Sequence, residues 1–306
     1  MPEVETCYGR VRGSEVRGIR VFRGIPFASP PVGPRRFRGP ERPEPWTGTL
    51  KATRPGAVSI QASVPMLSFL NAGGARQSED CLHLNVWTPG LDNAKRPVLV
   101  WIHGGGFLIG SGSSLLYEGH GLARRGDLVV VTFNYRLGAL GFAHFFGIGG
   151  EEFRDASNAG LRDQIAAFEW IRENIERFGG DPDNVTVCGQ SAGAMSIGAL
   201  LGAPQARRLF RRAICQSGAA HNVLTQDQAN EIAAIFLGKL GGPPLSRKSL
   251  ARIPAARLLK AQGATNRRLA NRERLMVFLP VVDGDVIREP PIAAVGRRDL
   301  RTPTTT

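Results

Sequence analysis

Ser191 lies in the run Phe178 to Gly193, F-G-G-D-P-D-N-V-T-V-C-G-Q-S-A-G, where an apolar β-type stretch stops at a serine and a small-residue helix begins. Small residues at Gly189, Ala192 and Gly193 let the chain turn sharply from strand to helix and lift one hydroxyl clear of the sheet edge. A hydroxyl presented in this way is suited to nucleophilic attack on an acyl carbon. A second glycine-rich turn, Trp101-Ile102-His103-Gly104-Gly105-Gly106-Phe107, follows another apolar run. Its consecutive glycines let backbone N–H groups converge without side-chain obstruction, as stabilisation of a developing oxyanion requires. With the N–H of Ala192, those of Gly105 and Gly106 would make a three-donor oxyanion hole. Either turn alone could simply join a strand to a loop; the two together are a far more demanding pattern.

A serine nucleophile also needs a base to take its proton and an acid to orient that base. For a nucleophile elbow the expected chain order is serine, acid, histidine, and the only histidine after Ser191 is His221. His221, with Asp227 or Glu231 nearby, is a substitute base on one reading and a solvated loop histidine on the other. His83, His103, His120 and His144 all precede Ser191 and are expected in structural roles. No triad acid or histidine is otherwise identified. The five histidines lack zinc-like spacing, so no metal is expected, and no organic cofactor is expected because the nucleophile and backbone dipoles carry the chemistry.

The elements that must position these residues follow from periodicity. Strand-like runs occur at Leu82 to Trp87, Pro97 to Ile102, Leu128 to Asn134, Val185 to Cys188 and Arg212 to Gln216. Their near-continuous apolar character predicts strands buried on both faces. Between them Leu161, Ile165, Phe168, Ile171, Ile175 and Phe178 recur at helical spacing, which predicts a helix leading into the nucleophile strand. Alternation of this kind predicts an α/β fold with a doubly wound, mostly parallel sheet and its ligands at the carboxyl ends of the strands. The segment to about residue 60 is rich in Gly and Pro and reads as small strands and turns packed over an edge.

With 306 residues, 42% of them hydrophobic, the chain can bury one large core, and no apolar run reaches membrane-spanning length. The net charge of +13 is spread along the chain, mostly as arginine. No aromatic residues interleave with its basic pairs, so a nucleic-acid partner is not expected. Cys7, Cys81, Cys188 and Cys215 form no C-x-x-C pair, which fits a reducing cytoplasm, and Cys188 and Cys215 read as small buried hydrophobes.

The chain resembles the type B carboxylesterases of the α/β-hydrolase fold, a family that includes para-nitrobenzyl esterases and, more distantly, cholinesterases. The resemblance is carried by Arg23-Gly24-Ile25-Pro26-Phe27-Ala28, Ser78 to Trp87, the oxyanion glycines, Asn134-Tyr135-Arg136, Asn158 to Gln164, the elbow and Pro280 to Asp285. It implies a serine carboxylic-ester hydrolase acting on small-molecule esters, with Ser191 as nucleophile and Gly105, Gly106 and Ala192 as donors. It also implies a structural Arg36–Glu79 ion pair, and framework roles for Asp163 and Asp181. Cys81 matches a family half-cystine, with Ser59 where its partner would stand. In relatives a further strand after the V-V-D-G-D segment leads to the triad glutamate, with the histidine later still. Residues 1–306 are therefore expected to be an incomplete domain of this fold, lacking its C-terminal strands and ending at Asp299 to Thr306 like a truncation. The alternative function is a catalytically impaired fragment or a non-catalytic binding module.

Overall fold

The continuous apolar runs become the strands of one large sheet. The computed structural model describes residues 1–63, 75–242, 245–270 and 276–296; the expected terminus at Asp299 to Thr306 lies outside them. The strands are β1 (Glu3–Thr6), β2 (Gly9–Arg12), β3 (Ser14–Val16), β4 (Ile19–Pro26), β5 (Thr49–Lys51), β6 (His83–Thr88), β7 (Arg96–Ile102), β8 (Val129–Phe133), β9 (Gly180–Gln190) and β10 (Arg212–Gln216). The helices are α1 (His120–Gly126), α2 (Gly138–Phe142), α3 (Phe146–Gly149), α4 (Ala159–Asn174), α5 (Ala192–Leu201), α6 (Gln226–Lys239), α7 (Arg247–Ala251), α8 (Ala255–Leu269) and α9 (Pro291–Gly296).

Seven strands pair in the order β10-β9-β7-β8-β6-β4-β3. The β10, β9, β7 and β8 pairings are parallel, and those from β8 through β6 and β4 to β3 are antiparallel. A separate small sheet, β1-β2-β5, is formed by the N-terminal segment. The structure is that of an α/β-hydrolase fold with a mixed sheet, parallel from β10 to β8 and antiparallel from β8 to β3.

Both faces of the sheet are covered, as continuous apolar strands require. On one face Val21, Trp87 and Val130 line up in register and pack with Ile19 and Ala123, the latter from α1. On the other, Phe22, Val86, Val131 and Val100 join the main core with Phe168 and Ile171 of α4. All six apolar positions expected to face the core from Leu161 to Phe178 are buried.

Strand β10 departs from expectation. Among the described residues it pairs with β9 alone, and all five of its residues are exposed, Ile214 by 46%. Cys215 is accordingly exposed rather than a buried hydrophobe, whereas Cys188, on the inner strand β9, is buried. Position in the sheet decides the difference, since an edge strand has a neighbour on one side alone.

Polar clasps hold the loops around this core. The Arg36 guanidinium donates to Glu79 at 2.6 Å and to the carbonyls of Leu250 and Ile253. Arg136, on the loop after β8, is buried against Asp163 of α4, donating through Nε at 2.8 Å and Nη2 at 2.6 Å. The Asn158 side chain donates to the Val281 carbonyl and accepts from the Val281 amide, both at 2.8 Å, and also donates to Asp283. Removing one partner of a fully buried pair leaves the other charge without compensation. Asp163→Ala is therefore expected to lower unfolding stability by about 3–5 kcal/mol, read by urea denaturation; a loss no larger than that from an exposed carboxylate would contradict this account.

Candidate active site

Two loops meet at the carboxyl edge because the strands before them are in parallel register, with Ile102 of β7 opposite Gly189 of β9. Ser191 follows β9 immediately and is the N-terminal flanking residue of α5, with φ 53° and ψ −123°. A side chain other than glycine's rarely adopts a positive φ, and holding one there costs about 1–3 kcal/mol. The surroundings enforce it. The Ser191 N–H donates to the Gln216 carbonyl at 2.8 Å, and the Ser191 carbonyl accepts from the Met195 N–H at 2.9 Å. A side chain at Gly193 would collide with the Ile102 carbonyl, and one at Gly189 would come within 2.7 Å of the Gly193 backbone. The elbow therefore packs backbone to backbone on the end of β7, leaving the Ser191 side chain half-buried at the loop cluster.

The glycine turn after β7 lies directly against it: a Cβ built on Gly104 would sit 3.3 Å from the Ser191 Cβ. Gly105 and Gly106 have φ of 115° and 62°. The Gly105 carbonyl accepts from the Leu108 and Ile109 N–H groups, both at 3.1 Å. Among the described residues, the N–H groups of Gly105, Gly106 and Ala192 donate to no protein acceptor. Buried or half-buried amide donors are normally satisfied, so free amides beside a presented hydroxyl form a local preference for negative charge.

The histidines are placed elsewhere. His103 is fully buried, stacked on Tyr135 with ring centroids 4.4 Å apart. His144 is buried with Nδ1 2.8 Å from the Ser157 hydroxyl. His83 lies 3.9 Å from Asp80, and His120 Nε2 is 3.0 Å from the Val16 carbonyl. His221 is exposed on the loop after β10, with no side-chain hydrogen bond to any described residue. The structure thus sets the glycine turn that begins at Gly104 against Ser191, which Ala192 follows directly, and brings none of the five histidines into hydrogen-bond contact with Ser191. Among the described residues, no group of three or more His, Cys, Asp or Glu could hold a metal ion. A cavity of about 240 Å³ lined by Tyr8, Phe27, Arg42, Arg162, Trp170 and Glu173 includes none of the four site residues.

Sequence reasoning gave Tyr135 no role. Its hydroxyl donates to the His103 carbonyl at 2.9 Å, fixing the start of the glycine turn. The signal available was the buried-type triplet Asn134-Tyr135-Arg136 at the end of β8, adjacent to β7 in the sheet.

Burial holds the imidazoles of His83, His103 and His144 below the ordinary value for histidine, His103 at about 4. In the unfolded chain these rings take up protons near pH 6.5, so between that value and the folded one the unfolded state binds more protons. The stability they contribute is complete above about pH 6.5 and is lost as the pH falls toward 4. Denaturant titrations across this window are expected to show stability falling with acidity, with a shallower slope in His103→Asn; an unchanged slope in the variant would refute the assignment.

The Carboxylesterase family model matches residues 1–305. The para-nitrobenzyl esterase of Bacillus subtilis (strain 168) is 46% identical over 294 residues, 95% of this chain and 59% of that protein. Acetylcholinesterase of Gallus gallus is 41% identical over 314 residues, 96% of this chain and 40% of that protein. The crystal structure of a Geobacillus stearothermophilus carboxylesterase at pH 6.2 superposes with a TM-score of 0.87 at 46% identity, covering 96% of this chain and 58% of the other. The chain therefore spans at most about three fifths of the length of these relatives. A family match over residues 1–305 and identity at this level over nearly all of the chain place this protein in the carboxylesterase family.

Proposed function

We propose that this protein is a serine carboxylic-ester hydrolase that works through an acyl-serine intermediate. The observation that carries the proposal is the half-buried Ser191 hydroxyl, presented at positive φ beside the free amides of Gly105, Gly106 and Ala192. Ser191 Oγ would attack the ester carbonyl carbon, forming a C–O bond and moving the carbonyl electron pair onto oxygen. The three N–H groups would hold that oxyanion. Collapse of the tetrahedral centre would break the bond to the leaving oxygen, which takes up the proton given up by Ser191 and departs as the alcohol, leaving the acyl-serine; water would then hydrolyse it, releasing the acid and returning a proton to the Ser191 oxygen.

The names of the relatives, esterases of carboxylic esters, support small-molecule esters as substrates. The spread of the basic residues argues against a nucleic-acid partner. Four cysteines without a disulfide among them fit a cytoplasmic setting. Among the described residues no helix is long and apolar enough to cross a membrane.

A second reading, a catalytically impaired member of the fold or a non-catalytic binding module, is favoured by one observation: no histidine side chain hydrogen-bonds Ser191. Without a positioned base, proton removal from the serine is slow, and loss of a triad partner costs about 10⁴-fold in rate. Activated esters such as para-nitrophenyl acetate separate the readings, because their leaving group departs without protonation by a general acid. The hydrolase reading expects a burst of para-nitrophenol, continued turnover, and a fall of about 10²-fold or more in Ser191→Ala. A burst without turnover supports the impaired enzyme. Equal rates for the two proteins would exclude nucleophilic catalysis by Ser191.

A further inference from the structure

The carbonyls of the two peptide groups that supply the glycine-turn amides are both anchored. That of Gly105 accepts from Leu108 and Ile109, and that of Gly104 lies 2.9 Å from Nδ1 of His103. In a planar trans peptide the carbonyl and the following N–H point in opposite directions. Anchoring the Gly104 carbonyl on one side therefore turns the Gly105 N–H to the other. A ring nitrogen can do this only if it carries the proton, because an unprotonated Nδ1 would set two acceptors against one another.

The rest of the pocket favours that tautomer. His103 Nε2 is buried without a partner among the described residues, which is tolerable for a lone pair and costly for an N–H. Stacking on Tyr135 fixes the ring plane, and the Tyr135 hydroxyl holds the His103 carbonyl from the adjoining strand. Gly110 closes over the other edge, where a Cβ would come within about 2.5 Å of both the Gly104 carbonyl and His103 Nδ1. The buried ring is therefore held as a neutral donor by Tyr135 on one face and by Gly104 and Gly110 at its Nδ1 edge, consistent with its depressed basicity.

We propose that His103 is the positioning residue of the oxyanion hole: its Nδ1–H fixes the Gly104 carbonyl and thereby aims the Gly105 N–H at the oxygen that develops beside Ser191. This rests on the function proposed above. The His103 ring itself touches neither substrate nor nucleophile; it acts through one peptide plane.

Two measurements test it. In protein labelled with ¹⁵N-histidine, proton–nitrogen correlation at neutral pH is expected to show His103 protonated at Nδ1 and unprotonated at Nε2. The reverse tautomer would overturn the proposal whatever the protein's activity. The second measurement is the rate at which a para-nitrophenyl alkylphosphonate labels Ser191. His103→Leu, which keeps bulk but loses the donor, is expected to slow labelling by about 10²-fold, the cost of losing one oxyanion donor. His103→Asn, whose amide can donate from nearly the same place as Nδ1, is expected to recover most of that loss. Thermal unfolding of both variants separates positioning from collapse: similar melting points with different labelling rates support the proposal. Equal labelling of His103→Leu and His103→Asn, whether both slow or both fast, would overturn it. Failure of the underlying reading looks different, because Ser191→Ala would then be labelled as readily as the unaltered protein.

Discussion

One serine held at a backbone angle that its side chain disfavours is the constraint from which the geometry of the site follows. Ser191 cannot relax without moving Gly193 away from the Ile102 carbonyl or breaking the bond from its own N–H to Gln216. Those contacts tie the elbow to β7 on one side and β10 on the other. The parallel order β10-β9-β7 is thus what makes the strained turn affordable, since the ends of three adjacent strands share its cost. The same order brings the turn after β7 alongside Ser191 and sets backbone amides, rather than side chains, around the hydroxyl.

Backbone amides are useful in such a place only if they remain unpaired, and folding tends to pair them. Here that tendency is defeated by anchoring carbonyls. The turn after β7 spends the acceptors of Gly104 and Gly105 on contacts within its own loop, and the first turn of α5 has no preceding helical carbonyl to satisfy Ala192. Further out, Arg136–Asp163 and the Asn158 bonds to Val281 and Asp283 hold the β8 loop and the 280–285 segment against the start of α4. These buried polar contacts specify where loops sit more than they add to net stability.

Much of this was legible in the sequence, for physical reasons that differ from element to element. Strands β6, β7, β8 and β9 were visible because burial on both faces demands uninterrupted apolar residues, and α4 because a half-buried helix repeats every three to four. Ser191, Gly105 and Gly106 were visible because the close backbone contacts at Gly105, Gly189 and Gly193 and the positive φ of Gly105 and Gly106 leave glycine as the residue that fits. An unpaired edge was expected from the missing strands, but not that β10 would be the strand to form it, since Arg212 to Gln216 carry no mark of whether a neighbour lies beside them. Nor was the partnership of His103 with Tyr135, because it joins residues 32 apart, on the loops that follow adjacent strands, and leaves no periodic trace. The start of β9 at Gly180, well before the apolar run at Val185, escaped notice because Asp-Pro-Asp-Asn reads as a turn.

Cys81 lies at a junction that is held without a covalent cross-link. Its thiol is buried with the Ser59 hydroxyl beside it, and burial pushes its ionisation up to about 12, where it is inert as a nucleophile. The strap that includes Cys81 is fastened by the neighbouring Glu79 to Arg36, which reaches on to the 250–253 turn. Attachment of that strap is electrostatic and indifferent to the redox poise of its surroundings, so neither glutathione nor an oxidant has a covalent cross-link there to open or close.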